Sequence, residues 1–514
     1  MKFDYVLVGG GTSACVLANQ ILRKGLGTVA IIESGGFPRG PRIFTPVRYT
    51  ETFNTAYDFG LETEPQRQLA NRRIAYPRGR MLGGSSGINA MIYMPPIPDD
   101  MTDWPDGWTH TEIAPLVESI ERQLFLEIDS QPEIHPLSRR FLDSVSEYNL
   151  ANSSQRPIEP IRYRRTQRHG RRHAAYSAFL KPVIDNPQLT IIEKGDVTKV
   201  LFDASRATHV EFQYAGRTTT VEANVAVVLA AGTIFSPAIL MRSGIGPREH
   251  LKENWIDARI DLGGVGKNLQ DHLIVPIIYA TSEKTSLEKI PTRSTRLEYV
   301  QGRCGPKASN IAEVGATISL DSENELSNPK LRQKHIQLHF TPTHYLEYPV
   351  RERPVDAWTI GVTHSNPGSC GEVRMAPKET AKQSVYVDPN YLSFDQDVES
   401  LIDGVNQSLL IADQPSLSDV RASMLLPRCS DGNQPDRNFI EKYIRRHALT
   451  LYHPIGTCAI GSDIQESVVD SQLCVRGTQN LFVADSSIIP RLPRGNPQSF
   501  AMVIGYRMGS ILER

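Results

Sequence analysis

Two clusters of small residues near the start of the chain have the types and spacing to hold a phosphorylated cofactor. In FDYVLVGGGTSACVLANQILRKGLGTVAIIES, residues 3–34, Gly9, Gly11 and Ala14 occupy the three positions of a G-x-G-x-x-G/A fingerprint. Glycine at the first position permits a tight turn, and glycine at the second lets a pyrophosphate approach the backbone. A small residue at the third lets helix and strand pack closely. Thr12 and Ser13 open the following helix, whose free N–H groups and positive dipole end suit phosphates. Glu33 follows Ala14 by 19 residues, where a carboxylate can accept hydrogen bonds from ribose hydroxyls. A second glycine-rich segment, GRMLGGSSGINAMIYMPP, runs from Gly79 to Pro96. Its Gly83, Gly84 and Ser85 form a step that can carry backbone amides close to a flat ring or a phosphate. The opening motif does not by itself separate FAD from NAD.

These residues need particular elements to position them. YVLV is an apolar, β-branched run of the kind that forms a buried parallel strand. From Thr12 to Lys24, Cys15, Val16, Ala18, Ile21 and Leu22 follow helical spacing, and TVAIIE reads as a second strand. Together they predict one βαβ unit. LTIIEKGDVTKVLFD reads as strands, and VAVVLAAGTIFSPAILMRSG as a buried strand, a glycine turn and a helix. Residues 110–125 have an amphipathic helical pattern, while HIQLHF and WTIGVTH alternate as strands of an antiparallel sheet do.

Composition limits the partners. With 56 basic and 57 acidic residues the net charge is −1, which gives no electrostatic case for nucleic acid or an anionic membrane. One basic run, RYRRTQRHGRRH from Arg162 to His173, reads as a solvated loop. The six cysteines are scattered without metal or redox spacing, so neither a metal site nor disulfides are expected. No apolar run reaches the ~18 residues of a membrane span, and Met1 and Lys2 lead straight into the first strand. The expectation is a cytoplasmic protein. At 514 residues the chain calls for two domains, or one large domain with insertions.

The Gly79–Pro96 segment resembles the first signature of the glucose–methanol–choline (GMC) family of FAD-dependent oxidoreductases. GTIFSPAILMRSGIG (Gly232 to Gly246) resembles its second signature, and GVGKNLQDH (Gly264 to His272) is a third similar segment. YHPIGTCAIG and LFVADSSIIPRLPRGNPQSFAMVIGYRMG complete the set, so the resemblance spans essentially the whole chain. It implies an α/β fold: a Rossmann-like FAD-binding domain with an inserted α+β substrate domain built on an antiparallel sheet. Residues 1–95, 185–273 and 445–514 are assigned to the first, and 96–184 and 274–444 to the second. Members resembling choline oxidase attach the flavin through a histidine just before the signature asparagine. Ile88 stands there, ahead of Asn89, so dissociable FAD is expected.

The resemblance also implies roles. His453 is the candidate base, with an ordinary histidine pKa of about 6.5 that suits proton removal near neutral pH. Asn496 matches a second catalytic position; its amide can orient a substrate oxygen. Besides the fingerprint residues, Gly83, Gly84, Ser85, Asn89, Met91, Val197, Ala231, Asp485, Pro497 and Gln498 are expected around the cofactor. Glu313, His339 and Tyr452 are candidates for the substrate pocket, with Glu313 alternatively an ordinary surface charge. His344 and His364 are weaker candidates. Pro95 and Pro96 replace a usual arginine–glycine pair, so the pocket entrance is expected to differ. The implied reaction is oxidation of a CH–OH group to aldehyde or ketone, with hydride passing to flavin N5 and oxygen or an organic acceptor reoxidising the flavin. The absence of a charge cluster points to a neutral alcohol, aromatic or part of a secondary metabolite. Two alternatives use the same frame: a cyanohydrin-type lyase and a light-driven decarboxylase.

Overall fold

Apolar runs at the start of the chain pair in parallel, as their composition requires. β1 (Lys2–Val8) sits between β2 (Val29–Glu33) and the long strand Arg217–Leu229. Leu189–Glu193 extends the parallel sheet beyond β2, and Leu481–Val483 pairs with the end of Arg217–Leu229. Two antiparallel strands, Arg206–Tyr214 and Asp196–Asp203, complete the seven. The computed structural model describes residues 1–125, 134–153, 157–283, 286–287, 293–320, 335–345, 355–376, 384–428, 435–463 and 465–513.

α1 (Thr12–Arg23) connects β1 to β2 and buries Ser13 through Leu22. The helix Gln498–Ile511 lies against it at very short range. Ser13 Oγ donates to the Ala501 carbonyl at 2.7 Å, and a Cβ added at Gly505 would stand 2.4 Å from the Ser13 carbonyl oxygen. Only a residue without a side chain admits that backbone approach.

A second sheet is antiparallel throughout, in the order Arg421–Leu426, Leu273–Thr281, Ala357–His364, His335–Thr341, Val314–Ser319 and Glu159–Arg162. Helices Pro136–Ala151 and Asp395–Ala412 pack on it and share its apolar cluster. Leu449–Thr450 also joins this sheet, pairing with Leu273–Thr281. The loop carrying His453 follows directly from Leu449–Thr450.

The basic run is not a solvated loop. Arg164 pairs with Glu121 at 2.7 Å, Arg165 is buried 3.8 Å from Glu313, and Arg168 lies over the Phe125 ring. Arg172 is 4% exposed. Its neighbours come from elements far along the chain, so spacing within the run does not reveal them. No disulfide, no metal-ligating cluster and no helix long and apolar enough to cross a membrane occur among the described residues.

Replacing Gly505 by valine forces the last helix off α1. It is expected to cost about 1–3 kcal/mol, read as a lower denaturant midpoint with unchanged slope.

Candidate active site

A cavity of about 690 Å³ is lined by residues of both sheets. At one end β1 stops at Val8 and Gly9 turns the chain with φ 91°, its N–H donating to Ile32 O at 2.8 Å. A Cβ at Gly9 would meet the Ala230 carbonyl oxygen at 2.7 Å. Glu33 lines the cavity and fixes this turn: its carboxylate accepts the Gly10 and Gly35 N–H groups, each at 2.8 Å. Both oxygens retain acceptor capacity for ribose hydroxyls. Burial pushes its pKa up, against those two hydrogen bonds.

Three helices begin at this cavity, α1, Gly232–Arg242 and Gln498–Ile511, and none has a side-chain N-cap. Asp485 is tied to the start of one of them, accepting Gly232 N–H at 2.9 Å and Ser236 Oγ–H at 2.5 Å. Gly11, Thr12, Ser13, Gly84, Ser85, Asn89, Met91, Val197, Ala231, Pro497 and Gln498 all line the cavity. Ala14 and Gly83 do not. Ala14 is buried in α1, where the fingerprint needs it, and Gly83 braces the turn by donating its N–H to Gly10 O at 2.7 Å.

At the other end His453, His339, Tyr452 and Asn496 line the wall. Hydrogen bonding determines the state of His453. His272 Nε2 lies 2.9 Å from the Ser365 carbonyl, which can only accept, so this nitrogen carries the proton. Burial lowers the His272 pKa to about 4, leaving the ring neutral and its Nδ1 an acceptor. That Nδ1 lies 2.9 Å from His453 Nδ1, which must therefore carry a hydrogen. Burial drives the His453 pKa well below 6.5, and a cation there is further disfavoured by the nearby His272, His339 and Arg78, so it is neutral too. Its Nε2 is then a bare acceptor, met by Asn496 Nδ2–H at 3.0 Å.

The backbone of this loop is equally constrained. Tyr452 adopts φ 67°, an uncommon conformation for a bulky residue. Its N–H donates to Thr450 Oγ1 at 2.8 Å, its carbonyl accepts from Arg78 at 3.0 Å, and His453 N–H donates to Asp271 at 2.7 Å.

Glu313 takes neither expected place. It is 3% exposed, outside the cavity lining, accepting His135 N–H at 2.7 Å and facing Arg165. His364 faces Asp397 at 3.6 Å, and neither it nor His344, Pro95 or Pro96 lines the cavity.

Two family models described as GMC oxidoreductase match residues 3–274 and 367–505. The chain belongs to the GMC oxidoreductase family. Over all of its length it is 31% identical to an alcohol dehydrogenase [acceptor] of Pseudomonas putida, covering 96% of that protein. An oxygen-dependent choline dehydrogenase of Rhizobium etli is 30% identical, over 98% of this chain and 94% of its own. The crystal structure of pyridoxine 4-oxidase from Mesorbium loti superposes with a TM-score of 0.84 at 27% identity, covering 99% of this chain and 98% of that one.

This GMC oxidoreductase is an FAD-dependent enzyme acting on CH–OH donors. Its cavity fits the cofactor. The glycine turn and the uncapped start of α1 offer N–H donors to a pyrophosphate, and Glu33 offers acceptors to ribose. Gln498 Nε2 is a buried donor without a partner among the described residues.

Sequence reading missed much of the end around His453. Tyr49, Phe53 and Tyr345 line the cavity beside Tyr452, with Phe53 and Tyr452 ring centroids 5.5 Å apart. Tyr345 shares hydrogen bonds with Tyr452 and Tyr49. His272 closes a recognised segment, yet its partner is 181 residues away.

Burial holds His272 at a pKa of about 4 and His339 at about 3, against the ordinary 6.5 that unfolding restores. The unfolded chain therefore binds more protons below 6.5, and stability falls as pH drops toward 4. The slope is up to about 1.4 kcal/mol per pH unit for each such histidine. Denaturant midpoints across this range are expected to fall, and to fall less steeply in His339→Phe.

Proposed function

We propose that this enzyme oxidises a neutral alcohol, aromatic or part of a secondary metabolite, to an aldehyde or ketone with dissociable FAD, His453 acting as the base. The observation that carries the reading is the bare Nε2 of His453 at the cavity wall, with its proton held on Nδ1 by His272. That nitrogen takes the hydroxyl proton. Asn496 donates to the same nitrogen before substrate binds, and its amide is placed to orient the alcohol oxygen. FAD, when bound, supplies the acceptor for the hydride leaving the carbinol carbon. As His453 takes the proton its Nδ1–H continues to donate to His272, which holds the ring in place.

Charge distribution supports a neutral substrate. The carboxylates that line the cavity are Glu33, Asp196 and Asp485; Glu33 and Asp485 are tied to backbone amides near the glycine turn and the Gly232 helix. Glu313, which could have met a cation, is committed to His135 and Arg165. Arg78 lines the base end, so its wall is positive, and the tyrosine–phenylalanine surface favours a flat ring. Ile88, 3% exposed and packed with Tyr49 and Phe53, offers no atom for a covalent bond to the flavin.

The first test is anaerobic absorbance of the purified enzyme with a panel of alcohols. Flavin bands are expected to bleach with a neutral aryl alcohol and to be unaffected by choline. His453→Ala, with FAD content unchanged, is expected to slow bleaching by about 10²–10⁴-fold; near wild-type rates would remove His453 from the role. Admitting air then distinguishes oxygen from an organic acceptor. Turnover without bleaching, or only under blue light, would favour the lyase or decarboxylase instead. Acid precipitation is expected to release all of the FAD into the supernatant; yellow colour retained in the pellet contradicts the role given to Ile88.

A further inference from the structure

Arg172 is a buried cation, 4% exposed, and among the described residues its hydrogen-bond partners are all neutral oxygens, none a carboxylate. Nε donates to Ile43 O at 2.9 Å, Nη1 to Ser86 O at 2.9 Å and Asn89 Oδ1 at 2.7 Å, and Nη2 to Asn89 O at 2.7 Å. Burial lowers its pKa to about 9, which leaves it charged at neutral pH. A charge removed from water without an opposite charge is costly even when hydrogen-bonded. A purely structural clamp could have been built from neutral amides.

The hydrogen bonds continue from Arg172 to the cavity in one direction. A guanidinium only donates, so Asn89 must turn Oδ1 toward it. That oxygen also accepts Met91 N–H at 3.1 Å. Asn89 Nδ2 is then free to donate, and does so to Gln498 Oε1 at 2.5 Å. Gln498 is thereby oriented as well: its oxygen faces Asn89, and its Nε2 is the donor left without a partner. Asn89, Ser86 and Gln498 all line the cavity, while Arg172 does not. Gln498 opens an uncapped helix, whose N-terminal end adds positive potential at the same place. In such a chain each bond polarises the next, so the last donor is stronger than an isolated amide.

We propose that Arg172 is a positioning residue for the redox chemistry: through Asn89 and Gln498 it presents a fixed positive charge and an oriented donor to bound FAD, favouring the form that carries the negative charge of a transferred hydride. The inference rests on the family's cofactor and is independent of His453 and of which alcohol is oxidised.

The test is the reduction potential of bound FAD, measured anaerobically by dye equilibration in Arg172→Met, Arg172→Lys, Gln498→Met and the Arg172→Met/Gln498→Met double variant. Arg172→Met is expected to weaken retention of reduced relative to oxidised FAD at least tenfold, a drop of about 30 mV or more for two electrons. Arg172→Lys, which keeps the charge and loses the fork, is expected to recover part of that drop. With Gln498 already replaced, the effect of Arg172→Met should shrink, because the path is cut. An unchanged potential in an Arg172→Met protein that holds FAD overturns the proposal, and full additivity in the double variant overturns the relay. If Arg172→Met fails to fold or to retain FAD, Gln498→Met decides: a lowered potential supports the proposal and an unaltered one defeats it. The wild-type flavin spectrum, recorded first, tests the cofactor separately.

Discussion

The Asp271 carboxylate accepts the hydroxyls of Tyr76, Tyr391 and Thr450 on one oxygen and the His453 N–H on the other. Burial raises its pKa while those hydroxyls and Arg78 lower it. An unsolvated carboxylate is tolerable only with such a set of donors. The donors come from three separate stretches of chain, around Tyr76, Tyr391 and Thr450–His453, so satisfying this one group fixes how the strand ahead of the first signature, the antiparallel sheet and the loop carrying His453 meet. Thr450 serves twice, donating to Asp271 and accepting from Tyr452 N–H. The left-handed turn at Tyr452 is held from both sides, and the direction of the His453 ring follows from it.

The two ends of the cavity make opposite electrical demands. The glycine end suits phosphate, since helix starts with free N–H donors face it. The other end holds a neutral imidazole, His453, whose Nε2 faces Asn496. Burial, and behind it the neighbouring rings and Arg78, depress the His453 pKa, which keeps Nε2 without a proton. Pairing with His272 fixes the tautomer, with hydrogen on Nδ1 and none on Nε2.

Local pattern carried the cofactor half of this arrangement. The β1–α1–β2 unit, its glycine spacing and Glu33 all lie within 34 residues, where periodicity and turn chemistry act directly. His453 and Asn496 were legible because flanking residues resemble a known family, and the structure brings them within 3.0 Å of each other. Glu313 was misplaced because its partners arise from tertiary packing, His135 lying 178 residues earlier. The basic run was misread for the same reason: charge along a sequence gives no sign of which arginine turns inward. Tyr49 and Phe53 sit four residues apart in one apolar cluster, but nothing local in the sequence shows that they meet Tyr345 and Tyr452 at the cavity.

The contact between α1 and the helix Gln498–Ile511 joins residues 488 positions apart. The cofactor cavity is walled by both of these helices, so a growing chain that has made β1, α1 and β2 has a phosphate turn but no room enclosed around it. Synthesis at about 5–20 residues per second leaves the early βαβ unit exposed for tens of seconds before its partner helix exists. Cofactor capture is therefore a late event in the life of each molecule, coupled to closure of the whole chain and not to the folding of its first motif.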